Sequence, residues 1–178
     1  TSTMQLTIFD SPEAQFTISP ADSVCINETI SFSASSSTNI SSWLWDFGDG
    51  STTSGQDVNY AYSSPGNYTV RLIVINEDDC SDTVYQSLVV NPSPETQITI
   101  SPSGNVCQGT ELQFGENSAT SILDWYWDFG DGNTSDLPNP AYTYASPGTY
   151  NVNLYVYSEH SCRDTATQTV TIFELPDC

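Results

Sequence analysis

A repeat of 82 residues, uninterrupted by insertion or deletion, constrains this chain more than any other feature. Trp45 and Trp127 are 82 residues apart, as are Cys25 and Cys107, Cys80 and Cys162, and Phe32 and Phe114. Tyr60 and Tyr142, Pro65 and Pro147, and Tyr68 and Tyr150 keep the same offset. The hexapeptide WDFGDG occurs at Trp45–Gly50 and again at Trp127–Gly132 because a whole unit recurs. Each unit is long enough for one small domain.

The register continues to both ends. TSTMQLTIF at positions 1–9 aligns with TVYQSLVVN at 83–91 and TATQTVTIF at 165–173. The expected organisation is therefore the last strand of a preceding repeat at 1–9, a first domain at 10–91, a second at 92–173, and the start of a following repeat at 174–178. On this expectation the chain is a window on a longer tandem array. The rival expectation is that the first strand pairs with the sheet edge of another chain.

Within a unit the pattern is short strands separated by turns. QFTIS, ETISFSAS, SSWLWDF, NYTVRLIVI and TVYQSLVV alternate polar and apolar residues with a period of two. GDG and SPGNY are turn sequences, and no segment keeps a helical period. The reading is an all-β chain of tandem sandwiches, about seven strands each. In SWLWDF, Trp43, Trp45 and Phe47 share one face, with Leu44 and Asp46 on the other.

The charge excludes several function classes. Asp and Glu number 22 against two basic residues, a formal charge of −20. Such a field repels nucleic acid and anionic membranes. No run approaches the roughly 18 apolar residues of a membrane span, so neither nucleic-acid binding nor membrane insertion is expected. Ten Tyr, seven Phe and four Trp argue for a packed core rather than disorder. Five Cys in so short a chain point to an oxidising, extracellular or cell-surface setting.

WDFGDG is followed by YAYSSPGNYTVRLIV in one copy and YTYASPGTYNVNLYV in the other. With these segments the chain resembles tandem PKD (polycystic kidney disease) domains, an Ig-like β-sandwich family. VCINETISF and VCQGTELQF, with DDCSDT and HSCRDT, resemble the Cys-bearing repeats of Bacteroidetes surface proteins. Those include large adhesins and substrates of the type IX secretion system. The resemblance implies no catalysis. It implies a spacer, adhesive or carbohydrate-associated role, and we expect a stiff acidic stalk or filament-forming segment used in adhesion or display. The expected partners are neighbouring repeats, copies of the chain in a fibre, and glycans. The alternatives are a glycan- or protein-binding module, or an accessory part of a secreted hydrolase, as in some collagenases and chitinases.

Several residues are candidates for chemistry. Asp46 and Asp49, with Asp128 and Asp131, could be an acid pair, calcium ligands, or parts of a turn. An acid pair needs a shared cleft, and nothing in the sequence supplies one. Calcium needs about six oxygen ligands. The loops before the Trp strand, SSSTNISS and NSATSILD, almost lack the acids that some PKD domains carry there. In the turn reading, Gly48 and Gly50 supply unusual backbone angles and Asp49 caps the turn. We expect the turn and no cofactor, with calcium as the alternative. His160 aligns with Asp78 and reads as a solvated loop residue.

Tyr60, Tyr62 and Tyr68, with Tyr142, Tyr144 and Tyr150, frame the SPG turn and are expected to pack a sandwich end. Tyr155 and Tyr157 stand where the first unit has Ile73 and Ile75, so they are the candidate unit-specific contact face. DTV at Asp82–Val84 and DTA at Asp164–Ala166 are similar to the Asp-Ser/Thr-aliphatic O-glycosylation pattern of Bacteroidetes exported proteins. That likeness makes Thr83 and Thr165 candidate glycan acceptors.

One cysteine pair per unit suggests Cys25–Cys80 and Cys107–Cys162. Strand direction argues otherwise. In an Ig-like sandwich Cys25, before the second strand, and Cys80, after the sixth, lie at opposite ends. Their expected separation is roughly 15–20 Å, whereas a disulfide needs Cα atoms within about 7 Å. The alternative is a bond between neighbours, Cys25–Cys162, with Cys80 and Cys107 left for other units; Cys178 is either free or paired with a further unit. Both schemes stand at this level. The linker VVNPSPETQ has Pro92 and Pro94 and no Gly, which makes it extended and stiff.

Overall fold

The computed structural model describes residues 10–20, 24–37, 39–104, 106–118 and 121–174. The expectations for residues 1–9 and 175–178 lie outside them. The chain divides into two compact units that meet between Pro92 and Ser93. Among the described residues every regular element is a strand.

The first unit contains β1 (Ala14–Ser19), β2 (Val24–Cys25), β3 (Ile30–Ser36), β4 (Ile40–Asp46), β5 (Thr52–Ser54), β6 (Asp57–Tyr60), β7 (Gly66–Asn76) and β8 (Ser81–Asn91). A three-stranded sheet has the order β1-β3-β6, and a five-stranded sheet the order β2-β8-β7-β4-β5. The strands form where the sequence alternates. In β7, Val70, Leu72, Val74 and Asn76 are buried and the residues between them are not. In β3, Ile30, Phe32 and Ala34 point inward. The two inward faces meet as one core that includes Trp45, Phe47 and Tyr62.

The second unit repeats this with β9 (Ile98–Ser101), β10 (Val106–Cys107), β11 (Glu111–Glu116), β12 (Ile122–Asp128), β13 (Thr134–Ser135), β14 (Ala141–Thr143), β15 (Gly148–Ser158) and β16 (Arg163–Phe173). Its sheets run β14-β11-β9 and β10-β16-β15-β12-β13. Even an irregularity recurs: the β4/β7 register shifts between Ile40 and Ser42, and the β12/β15 register between Ile122 and Asp124.

The strand count exceeds the expectation because of one element. β2 is two residues long and pairs parallel with the far end of β8, Val24 opposite Val90 and Cys25 opposite Asn91. The sequence placed Cys25 ahead of the second strand, whereas here it is itself an edge segment of the larger sheet. β10 does the same against β16, with Cys107 opposite Phe173.

Candidate functional site

The two WDFGDG segments end β4 and β12, each with its Trp indole fully inside the core. The Trp45 Nε1–H donates to the Gly55 carbonyl at 2.8 Å, and the Trp127 Nε1–H to the Leu137 carbonyl at 3.0 Å. Trp45 also meets Phe16 edge-on at 5.1 Å and Phe32 at 5.7 Å between ring centroids. Past the Trp, the chain must turn sharply against the neighbouring strand. Gly48 does so at φ 82°, where an added Cβ would lie 2.7 Å from the Thr69 carbonyl oxygen. Gly130 repeats this at φ 78°, 2.5 Å from the Asn151 carbonyl oxygen. These glycines answer both a backbone angle and a steric demand.

The carboxylates serve the same turn. Asp46 Oδ1 accepts the Gly48 N–H, and its Oδ2 accepts from Arg71 Nη2 at 2.9 Å. Asp49 Oδ1 accepts the Ser51 N–H at 2.9 Å, and its Oδ2 accepts the Tyr60 hydroxyl at 2.6 Å. In the second unit Asp128 accepts the Gly130 N–H, and Asp131 accepts the Asn133 N–H and the Tyr142 hydroxyl. Each of these four carboxylates thus accepts at least one hydrogen bond from within its own turn. Among the described residues no three His, Cys, Asp or Glu side chains gather as metal ligands.

The tyrosines close the end of each sandwich. Tyr60 stacks on Phe47 at 3.9 Å, and Tyr142 on Phe129 at 4.0 Å. Tyr62 is buried and donates its hydroxyl to the Phe47 carbonyl at 2.8 Å, and Tyr144 donates to the Phe129 carbonyl at 2.9 Å. Tyr68 donates to the Ser64 carbonyl and lies over Tyr62, and Tyr150 does the same with Ser146 and Tyr144. All six rings pack at the sandwich ends.

This arrangement titrates in a characteristic way. The hydrogen bond to Asp49 raises the Tyr60 phenol above its ordinary value. Burial first, then the bond to Asp131, pushes Tyr142 up to about 12. Burial raises Tyr62 and Tyr144 as well. Burial would also raise Asp49 and Asp131. The hydrogen bonds from Tyr60 and Ser51, and from Tyr142 and Asn133, outweigh it and hold both carboxyls below the ordinary value of 3.8.

A raised folded pKa means the native state keeps protons that the unfolded state releases. The stability these phenols give is complete below pH ~10 and is lost as pH rises through the folded values. The depressed carboxyls give stability above pH ~4 that is lost on acidification. We expect alkaline unfolding in which a rise in phenolate absorbance from these four tyrosines coincides with the change in Trp fluorescence. Complete phenolate formation before any fluorescence change would contradict it.

Asp82 and Asp164, read in the sequence only as part of a glycosylation pattern, also hold backbone. Asp82 accepts the Ala14 N–H at 2.8 Å, and Asp164 accepts the Thr96 N–H at 2.8 Å, pinning the entry of each unit to its outer strand. Their signal was available, since both copies place Asp at this offset after the cysteine. Each precedes a candidate glycan acceptor. Thr83 and Thr165 are exposed, opposite Ile73 and Tyr155 respectively.

The outer face of the larger sheet of the second unit is aromatic. Tyr155 and Tyr157 are each 38% exposed. The sequence reading missed Tyr126, which lies opposite Tyr155 across β12 and β15 with ring centroids 5.9 Å apart, and is 48% exposed. Its position between two inward tryptophans turns it outward.

The cysteines differ from the paired-within-unit scheme. Cys80 carries a free thiol, whereas Cys25, Cys107 and Cys162 are disulfide-bonded. Cys25 registers with Asn91 at one end of β8, and Cys80 precedes Ser81 at the other. At about 3.3 Å per residue the two ends are roughly 33 Å apart, farther than the sequence suggested and well beyond disulfide reach. Cys107 and Cys162 bracket β16 in the same way. Cys25–Cys80 and Cys107–Cys162 are therefore not formed.

Comparison with known proteins identifies the class. The family model for the PKD domain matches residues 10–90 and again residues 91–172. The chain belongs to the PKD domain family. It is 38% identical over 94 residues to a microbial collagenase of Vibrio alginolyticus, a match covering 51% of this chain and 11% of the collagenase. It is 35% identical over 121 residues to human polycystin-1, covering 62% of this chain and 3% of that protein. Among solved structures it is similar to the PKD1 domain of the Vibrio cholerae metalloprotease PrtV. That match has 26% identity and a TM-score of 0.39, over 45% of this chain and 96% of the other. The chain thus spans only a small fraction of these curated relatives. PKD domains are non-catalytic accessory modules.

Proposed function

We propose that the chain is a structural spacer segment of a larger extracellular or cell-surface protein, a stiff acidic stalk or fibre element that displays or joins other parts. One observation carries the reading: both copies commit the same Asp, Tyr, Trp and Gly groups to internal bonds that hold the sandwich end together. What recurs is a fold-stabilising network, and that suits a module used for length. Disulfide-bonded cysteines suit an oxidising compartment. The Cys-bearing motifs fit surface-protein repeats, with type IX export and adhesion as the finer form of this reading.

In such an array we propose that consecutive repeats are joined covalently, the Val-Cys cysteine of one to the cysteine before the last strand of the next, here Cys25 to Cys162. Support comes from the separation of Cys25 from Cys80 and of Cys107 from Cys162, each too long for a bond within the pair. Calcium has no part in this account. Adding calcium or a chelator is expected to leave the melting temperature unchanged, and a rise of many degrees with calcium would overturn the turn reading.

The aromatic face of Tyr126, Tyr155 and Tyr157 favours a second reading, a glycan-binding surface present in one unit only. Thr165 lies on the same sheet face, so a glycan on that residue would cover Tyr155. A glycan array with a Tyr155→Ala control tests it: loss of a signal in the variant supports binding, and no signal from either protein removes it.

A further inference from the structure

We infer that Cys80 is a covalent attachment point for a further repeat, bonding the Val-Cys cysteine that such a repeat carries at the position of Cys25 and Cys107. The inference rests on the spacer reading. Its ground is an internal control: the second unit holds the equivalent cysteine, Cys162, in the same loop, and there it is disulfide-bonded.

The two loops agree bond by bond. Asn76 N–H donates to the Cys80 carbonyl at 3.0 Å, and Ser158 N–H donates to the Cys162 carbonyl at 2.8 Å. Asp79 N–H returns to the Asn76 carbonyl, and Ser161 N–H to the Ser158 carbonyl. The residue before each cysteine is left-handed, Asp79 at φ 59° and Ser161 at φ 60°. Each sulfur lies 3.9 Å from the carbonyl two residues back, that of Asp78 or of His160. The loop geometry that presents a sulfur for bonding in the second unit is therefore already built in the first.

The first unit braces its loop further. Asn76 is buried, and its Oδ1 accepts the N–H groups of Asp78 and Cys80 while its Nδ2 donates to the Asp10 carbonyl. Cys80 is half-exposed. A rigid loop with an accessible thiol lowers the ordering cost of capture.

The partner follows from the same geometry. Cys25 is bonded although the one other cysteine of its unit, Cys80, is free and roughly 33 Å away. Cys25 thus bonds a cysteine other than Cys80, and in our inference the complement of the Val-Cys position is the loop position of Cys80 and Cys162. Bond formation oxidises two thiols, Cys80 and the partner cysteine. It reduces one small disulfide such as oxidised glutathione to two thiols, so electrons and protons balance.

The test uses the full chain and a second copy as the further repeat. The protein is reduced, then reoxidised with reduced and oxidised glutathione at high concentration, and mapped by non-reducing digestion and mass spectrometry. We expect covalent oligomers containing Cys80 joined to Cys25 or Cys107 of a second copy, and their disappearance in Cys80→Ser. A second arm needs no variant: native protein alkylated at Cys80 before reduction should also fail to oligomerise. Absence of oligomers, or oligomers joined only Cys80 to Cys80, would overturn the inference. Native protein that maps with Cys25–Cys162 in place would leave the spacer reading standing in that event, so the two failures are distinguishable.

Discussion

Replacing Trp45 with Ala should destabilise the first unit by about 3–5 kcal/mol, the range for truncating a buried aromatic. The indole has no exposed surface, fills the space between the two sheets against Phe16 and Phe32, and satisfies the Gly55 carbonyl. Truncation removes that apolar area, leaves a cavity between stiff strands, and orphans a carbonyl. Small domains are stable by only about 5–15 kcal/mol, so the loss is a large fraction of the total. Denaturant titration followed by the remaining Trp fluorescence measures it, and Trp127→Ala should act likewise in the second unit. A loss below about 1 kcal/mol would mean that the core is not built around this residue.

The second large effect is expected from Gly48→Ala. A residue with a Cβ at φ 82° pays about 1–3 kcal/mol in backbone strain alone. Its Cβ would also come within 2.7 Å of the Thr69 carbonyl oxygen, and a backbone atom in a central strand cannot step aside cheaply. Gly50→Ala separates the two causes, because Gly50 has φ 95° but nothing within 4 Å of its added Cβ. We expect Gly48→Ala to lower stability clearly more than Gly50→Ala. Equal losses would show that the close approach to Thr69 carries no energy. The two glycines of one motif therefore do different work: Gly48 answers packing and angle, Gly50 the angle alone.

The legible part of this molecule was the part encoded locally. Period-two alternation in NYTVRLIVI placed β7 and its inward face because side-chain direction in a strand depends only on neighbours. The WDFGDG turn was legible because an Asp side chain reaches a backbone N–H two residues on, as Asp49 does to Ser51. The 82-residue offset then carried every local reading from one unit to the other.

What the sequence left open depends on long-range register. The Asp49–Tyr60 bond spans 11 residues, and the bond from Ala14 to Asp82 spans 68. Neither follows from spacing until the strand order is known. The same is true of the parallel pairing of β2 with β8, which moved Cys25 to the far end of the sheet and lengthened the expected distance to Cys80. Tyr126 joined the Tyr155 face only once the β12–β15 register was fixed. The choice between two cysteine schemes stayed open for that reason.

A disulfide map of natively oxidised protein, by non-reducing digestion and mass spectrometry, tests the central claim most directly. The account predicts a peptide joining Cys25 to Cys162. Recovery of Cys25–Cys80 together with Cys107–Cys162 would contradict it. The repeats would then be independent beads on proline-rich joints, and the strand geometry that separates the two cysteines of each unit would be wrong.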